Sequence, residues 1–193
     1  APESGPWLAP GFIDMQVNGF KGVDFCAAGA SLHDVARAID AILATGTARF
    51  FPTVITGSPE TMLGSLEMIV HARKVLPKGR AIEGIHVEGP YISPHDGPRG
   101  AHPRSAVRPP SIDEYEQWQV AAEGAIRLIT VSPEWEETPS FIEHITGQGV
   151  VAAIGHMDAT EAQIEAAVKA GATLSTHLGN GSHSSLPRHP HYL

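Results

Sequence analysis

The chain has a single cysteine, Cys26, among 193 residues, so no disulfide can form within it and a reducing compartment is expected. Positive charge is also scarce: 13 Lys and Arg stand against 21 Asp and Glu, a formal net charge of −8. That balance argues against nucleic acid or a membrane surface as the main partner. It leaves room for a small anionic ligand, which needs only a local cationic pocket. No apolar run reaches the roughly 20 residues of a membrane-spanning helix, and no secretory leader is visible. A cytoplasmic location is the expectation. What is present is a 42% hydrophobic composition, enough for one domain with a sizeable core. The 20 glycines and 16 prolines sit mostly between periodic segments, which points to many short connections. Eleven histidines exceed what an ordinary surface needs, so the place of each matters.

Residues 1–8 read as a joining segment. Residues 11–18 then alternate strictly: Ile13, Met15 and Val17 face one side, Asp14, Gln16 and Asn18 the other, as in a strand with a polar inner end. Ser31 with Asp34 predicts a helix start, Val35, Ile39, Ile42 and Leu43 its buried face, and Gly46 its stop. Residues 48–55 predict a second strand. Ser58-Pro59 opens a helix with Met62, Leu66, Ile69 and Val70 turned inward. A third strand carries His86 and Glu88 on one face and stops at Gly89-Pro90. Residues 91–110 predict a long functional loop with little power to form core. Ser111 and Glu114 predict a capping box for a helix carrying Tyr115, Trp118 and Val120. A fourth strand over 126–131 ends at Ser132-Pro133-Glu134, and a helix from Thr138-Pro139 carries Ile142 and Ile145 and ends at Gly147. A fifth strand over 150–154 ends at Gly155-His156. Thr160 and Gln163 cap a helix that buries Ile164 and Val168 and stops at Gly171. A sixth strand over 172–176 ends at His177.

Strand and helix thus alternate six times, which implies parallel βαβ units. A doubly wound sheet and a TIM-type (β/α)₈ barrel both fit that order. Polar residues recur at the C-terminal ends of the first, third, fifth and sixth strands, and in a barrel those ends converge on one mouth. The barrel is therefore the expected fold, as a single domain over 1–193. A closed barrel needs eight units and about 250 residues, so the chain reads as an incomplete one, without its last two strands.

Glu88, His156 and His177 sit at three of those strand ends. A carboxylate there is costly to bury unless paired, hydrogen-bonded or bound to a cation. One carboxylate and two imidazoles suit one divalent ion, zinc first, with iron, manganese or cobalt as alternatives. Each histidine taken alone is equally compatible with a hydrogen-bonded core or loop role. His102, His183, His189 and His191 fall in loops near the mouth and read as solvated side chains.

Four stretches carry a resemblance: Pro10-Gly11-Phe12-Ile13-Asp14-Met15-Gln16-Val17-Asn18-Gly19, Gly84-Ile85-His86-Val87-Glu88-Gly89-Pro90, Gly155-His156, and Thr176-His177-Leu178-Gly179-Asn180. They resemble the N-acetylglucosamine-6-phosphate deacetylases of the amidohydrolase superfamily. The resemblance implies a (β/α)₈ barrel with an accessory β-sandwich, the sandwich strands not appearing in this chain. It implies metal binding by Glu88, His156 and His177, and hydrolysis of N-acetylglucosamine-6-phosphate to glucosamine-6-phosphate and acetate. It also implies a homodimer. Asn180 aligns with a substrate-binding Asn, the Gly181 amide stands where another amide approaches the phosphate, and Arg188 matches a phosphate-binding Arg. Where many amidohydrolases carry His-x-His and a second metal, this chain has Gln16-Val17-Asn18. Neutral amides are poor transition-metal ligands, so one metal is expected and Gln16 and Asn18 become hydrogen-bonding groups at the mouth. The general base of the family is an Asp on the eighth strand, and nothing up to Leu193 matches it, so residues 1–193 alone are expected to be inactive. The run Gly179-Asn180-Gly181-Ser182 departs from the usual Phe- or Tyr-Asn-Ala-Met. That departure keeps open a related amidohydrolase acting on another amide or cyclic amide. A catalytically silent metal-binding barrel fragment is the remaining alternative.

Overall fold

The protein is described by a computed structural model covering residues 7–27 and 29–192. Most of the expected joining segment, residues 1–6, lies outside the described residues. Six strands form one sheet in the order β1 (Phe12–Val17), β4 (Thr47–Ile55), β5 (Ile85–Glu88), β6 (Ile126–Val131), β7 (Val151–Ile154) and β8 (Leu174–Ser175). Every neighbouring pair is parallel. A small antiparallel hairpin, β2 (Gly19–Phe20) and β3 (Val23–Asp24), follows β1 and was not anticipated. Five helices link the sheet strands: α1 (Leu32–Leu43), α2 (Pro59–Val75), α3 (Ile112–Ala121), α4 (Thr138–Gly147) and α5 (Glu161–Ala170). Strand order follows chain order, as a succession of βα units requires.

The start signals act as their chemistry predicts. Ser31 and Asp34 cap α1 reciprocally, as Thr160 and Gln163 cap α5, and Ser58 accepts from the Thr61 amide beside Pro59 at the head of α2. The expected box at α3 is only half formed. Ser111 Oγ accepts from Glu114 N at 3.2 Å, but the Glu114 carboxylate is taken by Arg108 and by the Tyr91 hydroxyl, the latter at 2.7 Å. A charge-assisted tie between the long loop and α3 outcompetes the local amide.

The core lies between the helices and the outer face of the sheet. It holds Val35, Ile39 and Ile42 of α1, Met62, Leu66 and Ile69 of α2, and the outward-facing Ile85 and Val87 of β5. Two expectations about burial fail. Val168 is 55% exposed, and α5 instead buries Ala167 and Ala170, small side chains that let it approach α4 closely. Ile13 and Met15 are also exposed, because the β1 edge has no further layer over it among the described residues.

The long loop corrects a third expectation. Tyr91, Ile92 and Ser93 are fully buried. The Tyr91 ring stacks on Trp118 at 5.2 Å and meets Phe141 edge-on at 5.2 Å, so the loop is rooted in an aromatic cluster between α3 and α4. Replacing Glu114 with Ala would strand Arg108 and the Tyr91 hydroxyl in that half-buried setting. Glu114→Ala is expected to lower unfolding free energy by about 2 kcal/mol, whereas Val168→Asp stays within about 0.5 kcal/mol; urea denaturation of both variants checks this.

Candidate metal centre

Glu88 is the last residue of β5, His156 follows β7 by two residues, and His177 follows β8 by two. Their donor atoms all lie within 4.8 Å of one another. Glu88 Oε1 is 3.2 Å from His156 Nε2 and 2.9 Å from His177 Nε2. Strands in a flat sheet are about 4.8 Å apart, so β5 and β8, three places apart, would stand about 14 Å from each other, more than the two side chains span. The contact therefore requires the sheet to curl into a partial barrel with Glu88 on its concave face.

Proton positions narrow what belongs between these groups. His156 Nδ1 lies 2.8 Å from the Pro98 carbonyl, which can only accept, so Nδ1 carries the hydrogen. A neutral His156 then turns the Nε2 lone pair toward a carboxylate oxygen, a repulsive contact unless a cation or a second proton lies between them. Burial pushes the Glu88 carboxyl up, but the adjoining imidazoles, His156 first and then His86 and His102, outweigh it and hold the group down at about 2. Glu88 is thus an anion, 1% exposed, facing two nitrogen donors. An oxygen and two imidazole donors with a backbone carbonyl fixing one tautomer is a donor set that fits a divalent ion. His177 Nδ1 is buried without a hydrogen-bond partner among the described residues.

The backbone at both histidines is unusual. His156 has φ of 51° and His177 of 29°, in or near the left-handed region that costs a non-glycine residue on the order of 1–3 kcal/mol. Close packing holds them there. A Cβ on Gly181 would stand 2.7 Å from His156 Nδ1, and one on Gly100 would stand 3.3 Å from Cε1, so two glycines let the backbone lie against the imidazole. Gly155 plays a similar part: a Cβ there would meet Thr176 at 2.9 Å, and its absence lets Thr130 Oγ1 reach Thr176 Oγ1 at 2.7 Å across β7.

Two further histidines belong to the centre. His86, on the same inward face as Glu88, is 1% exposed and 2.7 Å from Thr130 Oγ1 through Nε2. Burial pulls it down to about 4, so it is neutral at pH 7. His102, expected as a solvated loop side chain, is instead 7% exposed. Its Nδ1 pairs with Thr56 Oγ1 at 2.8 Å and its ring meets His156 edge-on at 4.5 Å. Burial first, then the His156 imidazole, holds it down at about 4. Its sequence neighbourhood carried no signal, because the loop that delivers it is ordered by contacts with Thr56 and His156, distant in sequence.

The remaining candidates are placed less tightly. Gly181 joins the centre through His156, and a shallow cavity is lined by His156, Met157, Thr176, Asn180, Gly181 and Tyr192. Asn180 is exposed, its amide donating to the His177 carbonyl at 2.8 Å. Gln16 and Asn18 lie at the end of β1, half-buried and exposed respectively. Arg188 is exposed and forms no ion pair among the described residues. His183, half-buried, faces Asp158 at 3.1 Å, and His189 stacks on His191 at 5.9 Å; of the four loop histidines, His102 alone departs from the sequence expectation outright.

A metal titration of the intact protein with cobalt(II) or zinc is expected to give one site per chain. Glu88→Gln and His156→Ala should each lose it, and full stoichiometry in both variants would contradict the assignment. Gly181→Ala should weaken binding by displacing the His156 ring while leaving the three donors in place.

No protein-family model matches the chain. Curated relatives do. The N-acetylglucosamine-6-phosphate deacetylase of Bacillus subtilis is 34% identical over 176 residues, covering 90% of this chain and 43% of the relative. The human protein of the same name is 37% identical over 189 residues, covering 94% and 44%. Among solved structures, a Mycobacterium smegmatis N-acetyl-D-glucosamine-6-phosphate deacetylase variant in complex with N-acetyl-D-glucosamine-6-phosphate superposes with a TM-score of 0.81 at 34% identity, over 89% of this chain and 43% of that one. A Thermotoga maritima deacetylase superposes with a TM-score of 0.75 at 27% identity, over 91% and 45%. The chain spans less than half the length of these relatives. In sequence and fold alike, over about nine-tenths of its own length, it resembles the N-acetylglucosamine-6-phosphate deacetylases.

Proposed function

We propose that residues 1–193 form the metal-binding part of a deacetylase that removes the acetyl group from an N-acetylated amino sugar phosphate, N-acetylglucosamine-6-phosphate giving glucosamine-6-phosphate and acetate. The observation that carries this reading is the convergence of Glu88, His156 and His177 at the concave ends of three strands. One divalent ion, zinc by the softness of its donors, fits there. Bound at that place, it supplies Lewis-acid chemistry, activating a water and polarising the acetyl carbonyl.

The chain's own residues do the rest of the holding. Glu88 contributes the charge, and His156 is locked in the tautomer that exposes Nε2 by the Pro98 carbonyl. Buried His102, neutral at pH 7 and fixed by Thr56, walls one side and excludes water. Asn180, the Gly181 amide and Arg188 take the anionic end of the substrate; a backbone amide with one guanidinium is sufficient for a phosphate. Gln16 and Asn18 offer hydrogen bonds at the mouth. Deacetylation also needs a group that takes a proton and delivers it to the leaving amine. By the resemblance this is an Asp of an eighth strand that completes a (β/α)₈ barrel, and no residue of this chain matches it. The reading includes a homodimer and a reducing, cytoplasmic setting. Among the described residues no helix is long and apolar enough to cross a membrane, and burial pushes the Cys26 thiol up to about 11.

A second reading, an amidohydrolase acting on another amide, is favoured by one feature. Gly181 lies closer to His156 than a residue with a Cβ could, which changes the floor of the substrate cavity. Assay of the whole protein separates the two. Under the first reading it hydrolyses N-acetylglucosamine-6-phosphate, loses activity to a chelator and regains it with zinc. Arg188→Ala should then raise KM about tenfold or more for the phosphorylated sugar and much less for N-acetylglucosamine. Turnover of other amides with none of this sugar phosphate would support the second reading, and equal effects on both sugars would remove Arg188 from the phosphate.

A further inference from the structure

Glu134 belongs to no part of the centre described so far, yet its carboxylate gathers three strand ends behind His156. Oε1 accepts from Ser93 Oγ at 3.0 Å, in the loop after β5. Oε2 accepts from Ser132 Oγ, at the end of β6, and from the backbone amide of Asp158 at 2.8 Å, after β7. Gln163 of α5 donates to the Glu134 carbonyl at 3.4 Å. Ser93 and Ser132 are fully buried, Glu134 is half-buried, and its bond to the Asp158 amide lies at the surface.

What the cluster holds is the turn that carries a metal ligand. Ser93 donates its backbone amide to the His156 carbonyl at 2.8 Å while giving its hydroxyl to Glu134. Two residues on, the Asp158 amide is bound by Glu134 directly. The peptide groups on either side of Met157 are therefore bracketed, one by Ser93 and one by Glu134. His156, at the head of this turn, has the left-handed φ of 51° that an L residue adopts only when its surroundings impose it. The Pro98 carbonyl aligns the ring, but the backbone from which the ring projects is set by the bracket.

We propose that Glu134 is a positioning residue for the metal centre: through Ser93, Ser132 and the Asp158 amide it holds the His156 turn in its left-handed conformation and so sets the placement of Nε2 against Glu88. The role rests on the metal reading of Glu88, His156 and His177, and the test separates the two. A carboxylate suits the position because it accepts at both oxygens and so binds three donors from three chain segments at once. Gln keeps one carbonyl oxygen for Ser132 and the Asp158 amide, and the Ser93 hydroxyl can turn to accept from its amide nitrogen. Ala keeps none of these contacts. Partners that orient a ligand in this indirect way typically change metal affinity by about 10–100-fold.

The experiment measures cobalt(II) affinity by chelator competition, the visible absorption spectrum of the cobalt form, and the melting temperature of the metal-free form, all on the intact protein. Glu134→Ala should weaken cobalt binding at least tenfold and change the spectrum, since ligand geometry changes. Glu134→Gln should return to within about threefold of wild type. Ser31→Ala, which removes the cap of α1 and touches no part of the turn, serves as the stability control: it should lower the melting temperature and leave the spectrum unchanged. If Glu134→Ala does not fold, Glu134→Asp replaces it; the shorter side chain keeps the charge but cannot reach Ser93 and the Asp158 amide together, and a wild-type spectrum and affinity in it would overturn the proposal. Wild-type affinity in Glu134→Ala, or a loss no larger than that of Ser31→Ala, would also overturn it while leaving the metal site intact. Absence of cobalt and zinc binding in the wild type would remove the metal site and this role together.

Discussion

The arrangement depends on one buried charge. Glu88 ends a strand whose four residues are all buried, and a carboxylate in that position carries a desolvation penalty of several kcal/mol. Its partners come from the ends of β7 and β8, 68 and 89 residues later in the chain. The contact with His177, three strands away, is out of reach across a flat surface, so it exists only because the sheet curls. Both histidines leave their strand ends with positive φ, 51° at His156 and 29° at His177.

The loop over 91–110 is the second structural consequence. It is anchored in the core at one end by Tyr91 against Trp118 and Phe141, and tied to α3 by Arg108 and Glu114. Between those anchors it presents the Pro98 carbonyl, the Gly100 backbone and the His102 ring to His156. The same imidazole is also met by Gly181, from the segment that carries Asn180. His156 thus joins the candidate metal centre to the segment proposed to hold the substrate.

Polar groups on the concave face show how a barrel interior tolerates such chemistry. His86, Thr130 and Thr176 form a connected run of short contacts across three strands, each group satisfied by the next. Satisfied in this way, polar residues specify the placement of strand ends instead of weakening the core. The helices, by contrast, pack on the sheet mainly through aliphatic and aromatic side chains, with polar ties such as His144–Glu116 between α4 and α3.

How much of this was legible in the sequence follows from range. Strand and helix positions depend on local alternation, caps and breakers, so Ser31 with Asp34, Ser58-Pro59 and Thr160 with Gln163 could be read directly and appear where expected. Glu88, His156 and His177 were legible for a related reason: each lies at a strand end, and a run of βα units puts all strand ends on one side. The misses share the opposite property. Glu114 gave up half of its capping box because Arg108 and Tyr91, unseen by a local motif, compete for its carboxylate. Val168 stayed exposed because which stripe of α5 is buried depends on how closely α4 approaches. His102 and Glu134 are recognisable only once segments 46, 41 and 24 residues away have been brought to them. The sequence by itself determined the six sheet strands, the five helices between them, their order and the three strand-end residues that converge, since periodicity and capping act within a few residues. Only the tertiary structure decided the curl of the sheet, the tautomer of His156 and the groups that hold it, since those depend on desolvation and on hydrogen bonds between distant segments.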